Sequence, residues 1–240
     1  MNNLILIRHG QSVWNLEKRF TGWADVDLTD QGKYEAKYAG QLIKKLNIEL
    51  DAYFTSVQKR AINTLEIILD ILNKKNSEFK KAWELNERHY GALTGLNKNE
   101  MMKKLGTQQI HIFRRSWNVP PPSMSKTHPE HPSKNKTYTN IPADKIPDGE
   151  SLKNTFDRVM PYYEKNIKPL LSSNKNILIS AHGNSLRALC KKLLNISNKK
   201  ITDFEIPTGN PLLITFGKNL EVVKYKYLDA KRAKNILFNV

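Results

Sequence analysis

The sequence predicts an α/β fold of three layers, in which helices cover both faces of a mostly parallel central sheet. Two observations lead to this prediction. Short apolar runs typical of buried strands alternate with longer stretches whose apolar residues recur at helical spacing. Polar residues also follow three of the apolar runs directly, as expected where parallel strands end at one edge of a sheet. We expect a single domain that spans residues 1–240.

The strands are predicted at residues 4–7, 52–56 and 176–181, which are short apolar runs. Near the end of the chain, residues 211–216 and 221–227 flank the turn sequence Gly-Lys-Asn. Two strand-like runs separated by such a turn are typical of a β-hairpin. The first three strands are therefore expected in the parallel part of the sheet, and the hairpin is expected to follow them.

The helices are predicted from apolar residues that share one helical face. Thr29 precedes one such stretch and is expected to be its N-cap residue. Residues 59–72 have the same periodicity, and residues 185–194 are predicted to form a helix directly after the third strand. Each of these helices follows a predicted strand, as the alternating fold requires.

Residues 119–149 differ from the rest of the chain. They contain seven of the eleven prolines and little apolar periodicity. A segment of this length without regular structure is uncommon inside a compact domain, unless it has a function or is mobile. We interpret it as part of an insertion, roughly residues 86–149, that covers the mouth of the site.

The formal net charge of +16 allows three interpretations. It could indicate nucleic-acid binding, a pocket for small anions, or a general compositional bias towards lysine. The lysines occur in scattered pairs and do not form one stripe with interleaved aromatic residues. We favour the compositional bias for most lysines and an anion pocket for the arginines, and we expect no nucleic-acid partner.

Cysteine usage and hydropathy limit the classes of protein to which this chain can belong. Cys190 is the single cysteine, and no paired Cys or His motif indicates a metal site. The apolar run at residues 4–7 is too short for a signal peptide or a membrane span. We therefore expect a cytoplasmic protein without a metal or a membrane partner.

The predicted strand ends carry a consistent set of polar residues. If the strands are neighbours, two arginines and two histidines converge beside helix N-termini, which suits a phosphoryl group. A neutral imidazole can act as the nucleophile at neutral pH. The residues concerned are Arg8, His9, Gly10 and Ser12 after the first strand, Ser56 and Arg60 after the second, and His182, Gly183 and Asn184 after the third.

Each of these features alone has an ordinary structural explanation. An Arg-His-Gly sequence could be a simple turn, and Arg60 could be an exposed helix charge. The pair Glu87-Arg88 could be a surface ion pair of little consequence. Trp14 is more simply explained as a packing residue. The combination favours a site, because all of these explanations would otherwise have to hold together.

Eight segments of the chain together resemble one known family. The sequence RHGQSVWN at residues 8–15 is similar to the signature of the histidine phosphatase superfamily. Further segments resemble its cofactor-dependent phosphoglycerate mutase branch: residues 19–29, 55–61, 85–98, 113–117, 147–152, 181–188 and 206–209. The resemblance covers residues 4 to about 227. It implies the fold of that family, with the insertion over the active site.

The resemblance also implies roles for individual residues. His9 would be the nucleophile that carries the phosphoryl group, and Glu87 would be the general acid and base. Arg8, Arg60 and His182 would hold the transferring group. The substrate-binding set that the resemblance implies is Arg8, His9, Gly10, Gln11, Ser12, Val13, Trp14, Asn15, Thr21, Gly22, Arg60, Glu87, Arg88, His89, Tyr90, Lys98, Arg114, Arg115, Gly183 and Asn184.

The activity implied is the interconversion of 3-phosphoglycerate and 2-phosphoglycerate in glycolysis and gluconeogenesis, with 2,3-bisphosphoglycerate as the cofactor that primes His9 and with no metal. The alternative is a histidine phosphatase that acts on a small phosphorylated metabolite and shares His9, Arg8, Arg60 and His182. The segment with Lys98, Arg114 and Arg115 favours the mutase, since a retained bisphosphorylated intermediate needs a second group of cations. We also expect a homodimer.

Overall fold

The fold was examined in a computed structural model, which describes residues 2–233 of the chain. Within these residues a six-stranded sheet has the order β3-β2-β4-β1-β5-β6. The strands are β1 (Asn2–Arg8), β2 (Ala52–Thr55), β3 (Lys80–Lys81), β4 (Ile177–Ala181), β5 (Leu212–Phe216) and β6 (Val222–Tyr227).

The three strands predicted to be neighbours are adjacent in the sheet. β4 lies between β1 and β2 and is parallel to both. β5 is antiparallel to β1, and β6 is antiparallel to β5, so the predicted hairpin forms one edge. The predicted α/β fold with a mostly parallel sheet is confirmed. Because β1, β2 and β4 are parallel, their carboxyl ends lie side by side at the same end of the strands.

The helices are α1 (Val13–Leu16), α2 (Asp30–Lys44), α3 (Lys59–Ile71), α4 (Lys98–Leu105), α5 (Thr107–Arg115), α6 (Leu152–Tyr162), α7 (Lys168–Ser172) and α8 (Gly183–Leu193). Thr29 is the N-cap residue of α2, and its side chain accepts a hydrogen bond from the Gly32 backbone N–H at 3.1 Å. α8 begins two residues before its predicted start, because extended His182 already serves as its N-cap residue.

Two apolar clusters cover the two faces of the sheet. Ile5 and Ile7 of β1 face α2 and α3, whereas Leu4 and Leu6 face α6 and α8. All four side chains are fully buried, as expected for a central strand whose side chains alternate between two covered faces. This arrangement is the three-layer architecture that the sequence predicts.

Residues 119–149 contain the short 3₁₀ turns Pro132–Lys134, Lys136–Tyr138 and Ala143–Lys145. Buried Tyr138 anchors the segment, because its hydroxyl donates to the Trp23 carbonyl and accepts from Nε2 of Gln58 at 3.1 Å. His131 is also buried, and its Nε2 lies 3.0 Å from Oδ1 of Asp148. Buried polar side chains, together with a small apolar cluster of Trp23, Tyr138 and Ile141, therefore hold this segment in place.

None of the helices within residues 2–233 is long and apolar enough to cross a membrane.

Candidate active site

A polar cavity of about 100 Å³ opens where β1, β4 and the start of α3 meet. The cavity is lined by residues from the strand ends and from the segment that leads into α4 and α5. The lining residues are Arg8, His9, Asn15, Thr21, Gly22, Arg60, Glu87, Tyr90, Lys98, Arg114, Arg115, Gly183, Asn184, Arg187, Glu205 and Ile206.

His9 lies directly after β1 and is 2% exposed. Its Nδ1 lies 2.7 Å from the Gly10 carbonyl oxygen, which can only accept a hydrogen bond, so the Nδ1 proton points there. Nε2 consequently carries the lone pair. Burial, followed by Arg60 and Arg8, lowers the pKa of His9 well below its usual value. The neutral, nucleophilic form therefore persists at neutral pH.

The turn after His9 requires glycine. A Cβ atom on Gly10 would lie 2.1 Å from the carbonyl oxygen of Gly32 in the first turn of α2. The Gly10 backbone N–H also donates to Oγ1 of Thr64 in α3 at 3.1 Å. The backbone beside His9 is thus fixed by two helices.

Arg60 is 1% exposed and is held by the loop that precedes α2. Its Nη1 donates to the Ala24 carbonyl and its Nη2 to the Gly22 carbonyl, both at 2.9 Å. Its Nε donates to Nε2 of His9 at 3.3 Å. Gly22 has a φ of +55°, a left-handed conformation that favours glycine and points this carbonyl at the guanidinium.

His182 lies behind His9, with a distance of 5.0 Å between the ring centroids. Its Nε2 lies 2.7 Å from Oγ of Ser56, and it is fully buried. Burial, together with Arg60 and His9, lowers the pKa of His182 well below the usual value. His182 does not line the cavity itself, and its contact with Ser56 fixes the ring that packs against His9.

Glu87 is 7% exposed and lines the same cavity. Its Oε1 accepts hydrogen bonds from the backbone N–H groups of Arg88 at 2.8 Å and Asn184 at 3.1 Å. Arg158 holds the backbone here, because its Nη2 donates to the Glu87 carbonyl at 3.0 Å. Glu150 in turn pairs with Nε of Arg158 at 2.7 Å.

A second group of cations lines the cavity from the segment around α4 and α5. It consists of Lys98, Arg114 and Arg115. Tyr90 lies among them and accepts from Nδ2 of Asn184 at 3.3 Å. Burial alone would raise the pKa of Tyr90, but Arg88 and Arg114 lower it to about 8.

Several residues of the predicted set do not line the cavity. Ser12 caps α1 and exchanges hydrogen bonds with Asn15. Gln11 accepts a hydrogen bond from Oγ1 of Thr29 at 2.9 Å, and Trp14 stacks on Arg19. Five other residues also lie outside the lining. Gly10 packs against Gly32, and Val13 is exposed. The other three, Arg88, His89 and His182, are fully buried.

Sequence reasoning missed three lining residues, namely Arg187, Glu205 and Ile206. Arg187 lies one helical turn after Asn184 and donates to its Oδ1 at 2.8 Å, so helical spacing from Asn184 could have identified it. Glu205 forms an ion pair with Arg115 across the cavity. Nothing in the spacing of the sequence indicates that contact, because residues 115 and 205 belong to distant segments.

The cavity is strongly cationic. Six arginine and lysine side chains line it, against the carboxylates of Glu87 and Glu205. Buried guanidinium atoms also lack hydrogen-bond partners among residues 2–233, namely Nε of Arg8, Nε and Nη1 of Arg88, and Nε of Arg187. Buried donors without partners are costly, so this arrangement is suited to a ligand with several anionic oxygens.

Comparison with known proteins agrees with this geometry. The sequence profile of the histidine phosphatase superfamily (branch 1) matches residues 4–133 and 122–225. The chain belongs to this superfamily.

Within the histidine phosphatase superfamily, the chain is similar to proteins of one kind. It is 57% identical over 237 residues to the 2,3-bisphosphoglycerate-dependent phosphoglycerate mutase of Pelagibacter ubique (strain HTCC1062), and the match covers 99% of each chain. It is 50% identical to the enzyme of the same name from Hyphomonas neptunium (strain ATCC 15444), with 98% of each covered.

Solved structures share the fold at lower sequence identity. A mycobacterial glucosyl-3-phosphoglycerate phosphatase superposes with a TM-score of 0.69 at 18% identity, covering 95% of this chain and 97% of that one. The α-ribazole phosphatase of Shigella flexneri superposes with a TM-score of 0.65 at 21% identity, covering 92% and 94%. These likenesses establish the histidine phosphatase fold and nothing about the substrate of this chain.

Proposed function

We propose that this chain is a cytoplasmic phosphoglycerate mutase that interconverts 3-phosphoglycerate and 2-phosphoglycerate through a phosphohistidine at His9, primed by 2,3-bisphosphoglycerate. One observation carries the proposal. A single cavity holds His9 with Arg8 and Arg60 near the strand ends, and a second set of cations, Lys98, Arg114 and Arg115, from another segment. The full-length relatives named as such mutases support the same reaction.

The charge of the substrate explains why two sets of cations are useful. A phosphoglycerate carries about three negative charges at neutral pH, divided between a phosphate and a carboxylate. Arginine presents a planar fork of donors that matches both groups. One set of cations would bind the transferring phosphoryl group, while the other would bind the remaining anionic group.

The residues present also fit 2,3-bisphosphoglycerate. The fit rests on the orphaned guanidinium atoms of Arg8, Arg88 and Arg187, which are buried donors on or beside the cavity. Arg8 and Arg60 would hold one phosphate, and Lys98, Arg114 and Arg115 the other. When bound, the cofactor supplies the phosphoryl group that primes His9.

His9 supplies the nucleophile. Its Nε2 lone pair faces Nε of Arg60, whose guanidinium would compensate charge on the phosphoryl oxygens during transfer. The hydrogen bond from Nδ1 to the Gly10 carbonyl fixes the tautomer and the ring orientation. The phosphorus–nitrogen bond forms at Nε2 as the bond from phosphorus to the leaving oxygen breaks, and no proton leaves the imidazole.

Glu87 would move the proton of the substrate hydroxyl. It lies in the same cavity as His9, and the backbone N–H groups of Arg88 and Asn184 hold its Oε1. When the phosphoryl group returns from His9 to a hydroxyl oxygen, the hydroxyl proton passes to the Glu87 carboxylate. In the reverse direction the same group returns the proton to the leaving oxygen.

The experiment is an assay of 2-phosphoglycerate formation from 3-phosphoglycerate with 2,3-bisphosphoglycerate, with His9→Asn as the test variant. Asn can place an amide N–H donor near the Nδ1 position, facing the Gly10 carbonyl, but cannot form the phosphoenzyme. We expect product with the wild-type protein and none above background with His9→Asn. Release of inorganic phosphate without 2-phosphoglycerate would assign the chain to the phosphatases, and full activity of the variant would exclude His9 as the nucleophile.

A further inference from the structure

Glu205 lies on a rigid part of the cavity wall. Its neighbours Phe204 and Ile206 are each 1% exposed. The Tyr227 hydroxyl donates to the Glu205 carbonyl at 3.1 Å, and Nη1 of Arg8 donates to the Ile206 carbonyl at 3.0 Å. The backbone at Glu205 is therefore fixed from both sides, while its side chain remains 54% exposed.

The Glu205 carboxylate forms an ion pair with the Arg115 guanidinium at the cavity. The Arg115 side chain is 19% exposed, so few other directions are open to it. The carboxylate of a phosphoglycerate could form the same kind of ion pair with Arg115. Protein and ligand would thus compete for the same guanidinium.

We propose that Glu205 is a specificity-determining residue whose carboxylate occupies Arg115 until an anionic ligand displaces it. This inference rests on the proposed function, since Arg115 is there assigned to the anionic group remote from His9. Glu205 makes no bond to the reacting atoms and is not catalytic.

The competition affects ligands differently according to their length. An anion held only by Arg115 must displace Glu205 without other help. A ligand whose phosphate already lies on Arg8 and Arg60 presents its second anionic group at a high effective concentration, so it displaces Glu205 more readily. Glu205 therefore weakens every ligand that needs Arg115, and a ligand anchored on Arg8 and Arg60 tolerates this cost whereas an anion held only by Arg115 does not.

The size of the effect follows from the exposure of the pair. Partly exposed ion pairs are weak, so freeing Arg115 is expected to tighten binding of a doubly anionic ligand by about two- to fivefold. A compact phosphate mimic that binds beside His9 does not reach Arg115. Its affinity is expected to stay unchanged.

The test compares Glu205→Gln with the matched variant Glu49→Gln, which removes a carboxylate from the exposed Glu49–Lys74 pair outside this cavity. The dissociation constant of 3-phosphoglycerate is measured by calorimetry, and that of orthovanadate in parallel. For Glu205→Gln we expect the constant for 3-phosphoglycerate to fall about two- to fivefold, with vanadate unchanged. In the mutase assay KM is expected to fall without a loss of kcat. Glu49→Gln is expected to match the wild type, and Glu205→Ala repeats the test without an amide.

The outcomes separate the two proposals. An unchanged constant for 3-phosphoglycerate in both Glu205 variants would overturn the inference, as would an equal gain for vanadate, which would indicate a general field effect. Binding of 3-phosphoglycerate without formation of 2-phosphoglycerate would refute the proposed function, while tighter binding by Glu205→Gln would still support the role of Glu205. Absence of any binding to the wild-type protein would reject both.

Discussion

Nε of Arg60 lies 3.3 Å from Nε2 of His9 and donates a hydrogen bond to it. The guanidinium cannot rotate freely, because its Nη atoms donate to the carbonyls of Gly22 and Ala24. A fixed positive charge beside the lone pair opposes protonation of the imidazole. Burial and this charge together keep His9 neutral, and the hydrogen bond from Arg60 has to open before the Nε2 lone pair can attack phosphorus.

Arg60→Met removes this contact but keeps the apolar stem. We expect kcat of the mutase reaction to fall at least about 100-fold, as with the loss of one well-placed donor to a developing charge. The pKa of His9 should rise, since Arg60 is the charge that lowers it most. NMR titration of the His9 imidazole measures this shift. An unchanged pKa with unchanged kcat would contradict the role given to Arg60.

Gly10→Ala is expected to destabilise the turn that carries His9. The added Cβ would lie 2.1 Å from backbone oxygen of Gly32, and backbone atoms cannot move aside cheaply. We expect a loss of about 2 kcal/mol or more in the free energy of unfolding, together with a loss of activity. The control is Gly149→Ala, where the new Cβ would meet nothing closer than 3.5 Å and which should cost little. Equal stabilities of the two variants in denaturant titrations would refute this reasoning.

Glu150→Gln breaks a buried ion pair that supports Glu87. The side chains of Arg158 and Glu150 are only 9% and 4% exposed, and their closest atoms are 2.7 Å apart. Because Arg158 would keep a buried charge without its counter-ion, we expect a loss of about 3 kcal/mol in unfolding free energy. Asp157→Asn removes the exposed Lys153–Asp157 pair and should change the stability by less than about 0.5 kcal/mol. A similar loss in both variants would show that burial does not decide the effect.

His89 gives a pH dependence with a defined sign. Burial lowers the pKa of His89 from the usual 6.5 of a histidine to about 4 in the folded protein. At a pH between these values the unfolded chain binds a proton that the folded protein does not, so the unfolding free energy falls as the pH falls. His89→Asn preserves an acceptor for the Gly91 N–H and removes the titration.

The measurement is the unfolding free energy of wild type and His89→Asn at about pH 6 and about pH 5. We expect the variant to lose less stability across this step, by up to about 1.4 kcal/mol. Parallel pH profiles for the two proteins would show that His89 does not titrate as described.

The sheet could be predicted because its central strands are continuous apolar runs that end in polar residues. β3 could not, since it consists of two exposed lysines that pair with β2 only through the backbone. α4 could not be predicted either, because none of its residues is buried and its apolar periodicity is weak. Local patterns thus miss elements that are imposed by contact with the neighbouring chain.

The candidate site was predictable in part for a related reason. Arg8 ends β1, His9 follows it directly and Gly183 comes two residues after the end of β4, so topology brings them together. Glu205 could not be predicted, because its ion pair with Arg115 joins two segments that are far apart in the sequence. Residues 119–149 have no apolar periodicity, yet Tyr138 holds them through hydrogen bonds that depend on the folded positions of its partners.

Isolation of the phosphoenzyme is the sharpest test of His9 as the residue that carries the phosphoryl group. The protein is mixed with 2,3-bisphosphoglycerate labelled in its phosphates, separated from free ligand and then given unlabelled 3-phosphoglycerate. We expect an acid-labile label on Nε2 of His9, absent from His9→Asn, that passes to bisphosphoglycerate and monophosphoglycerate. A label on another residue, no label at all, or release mainly as inorganic phosphate would contradict this role of His9.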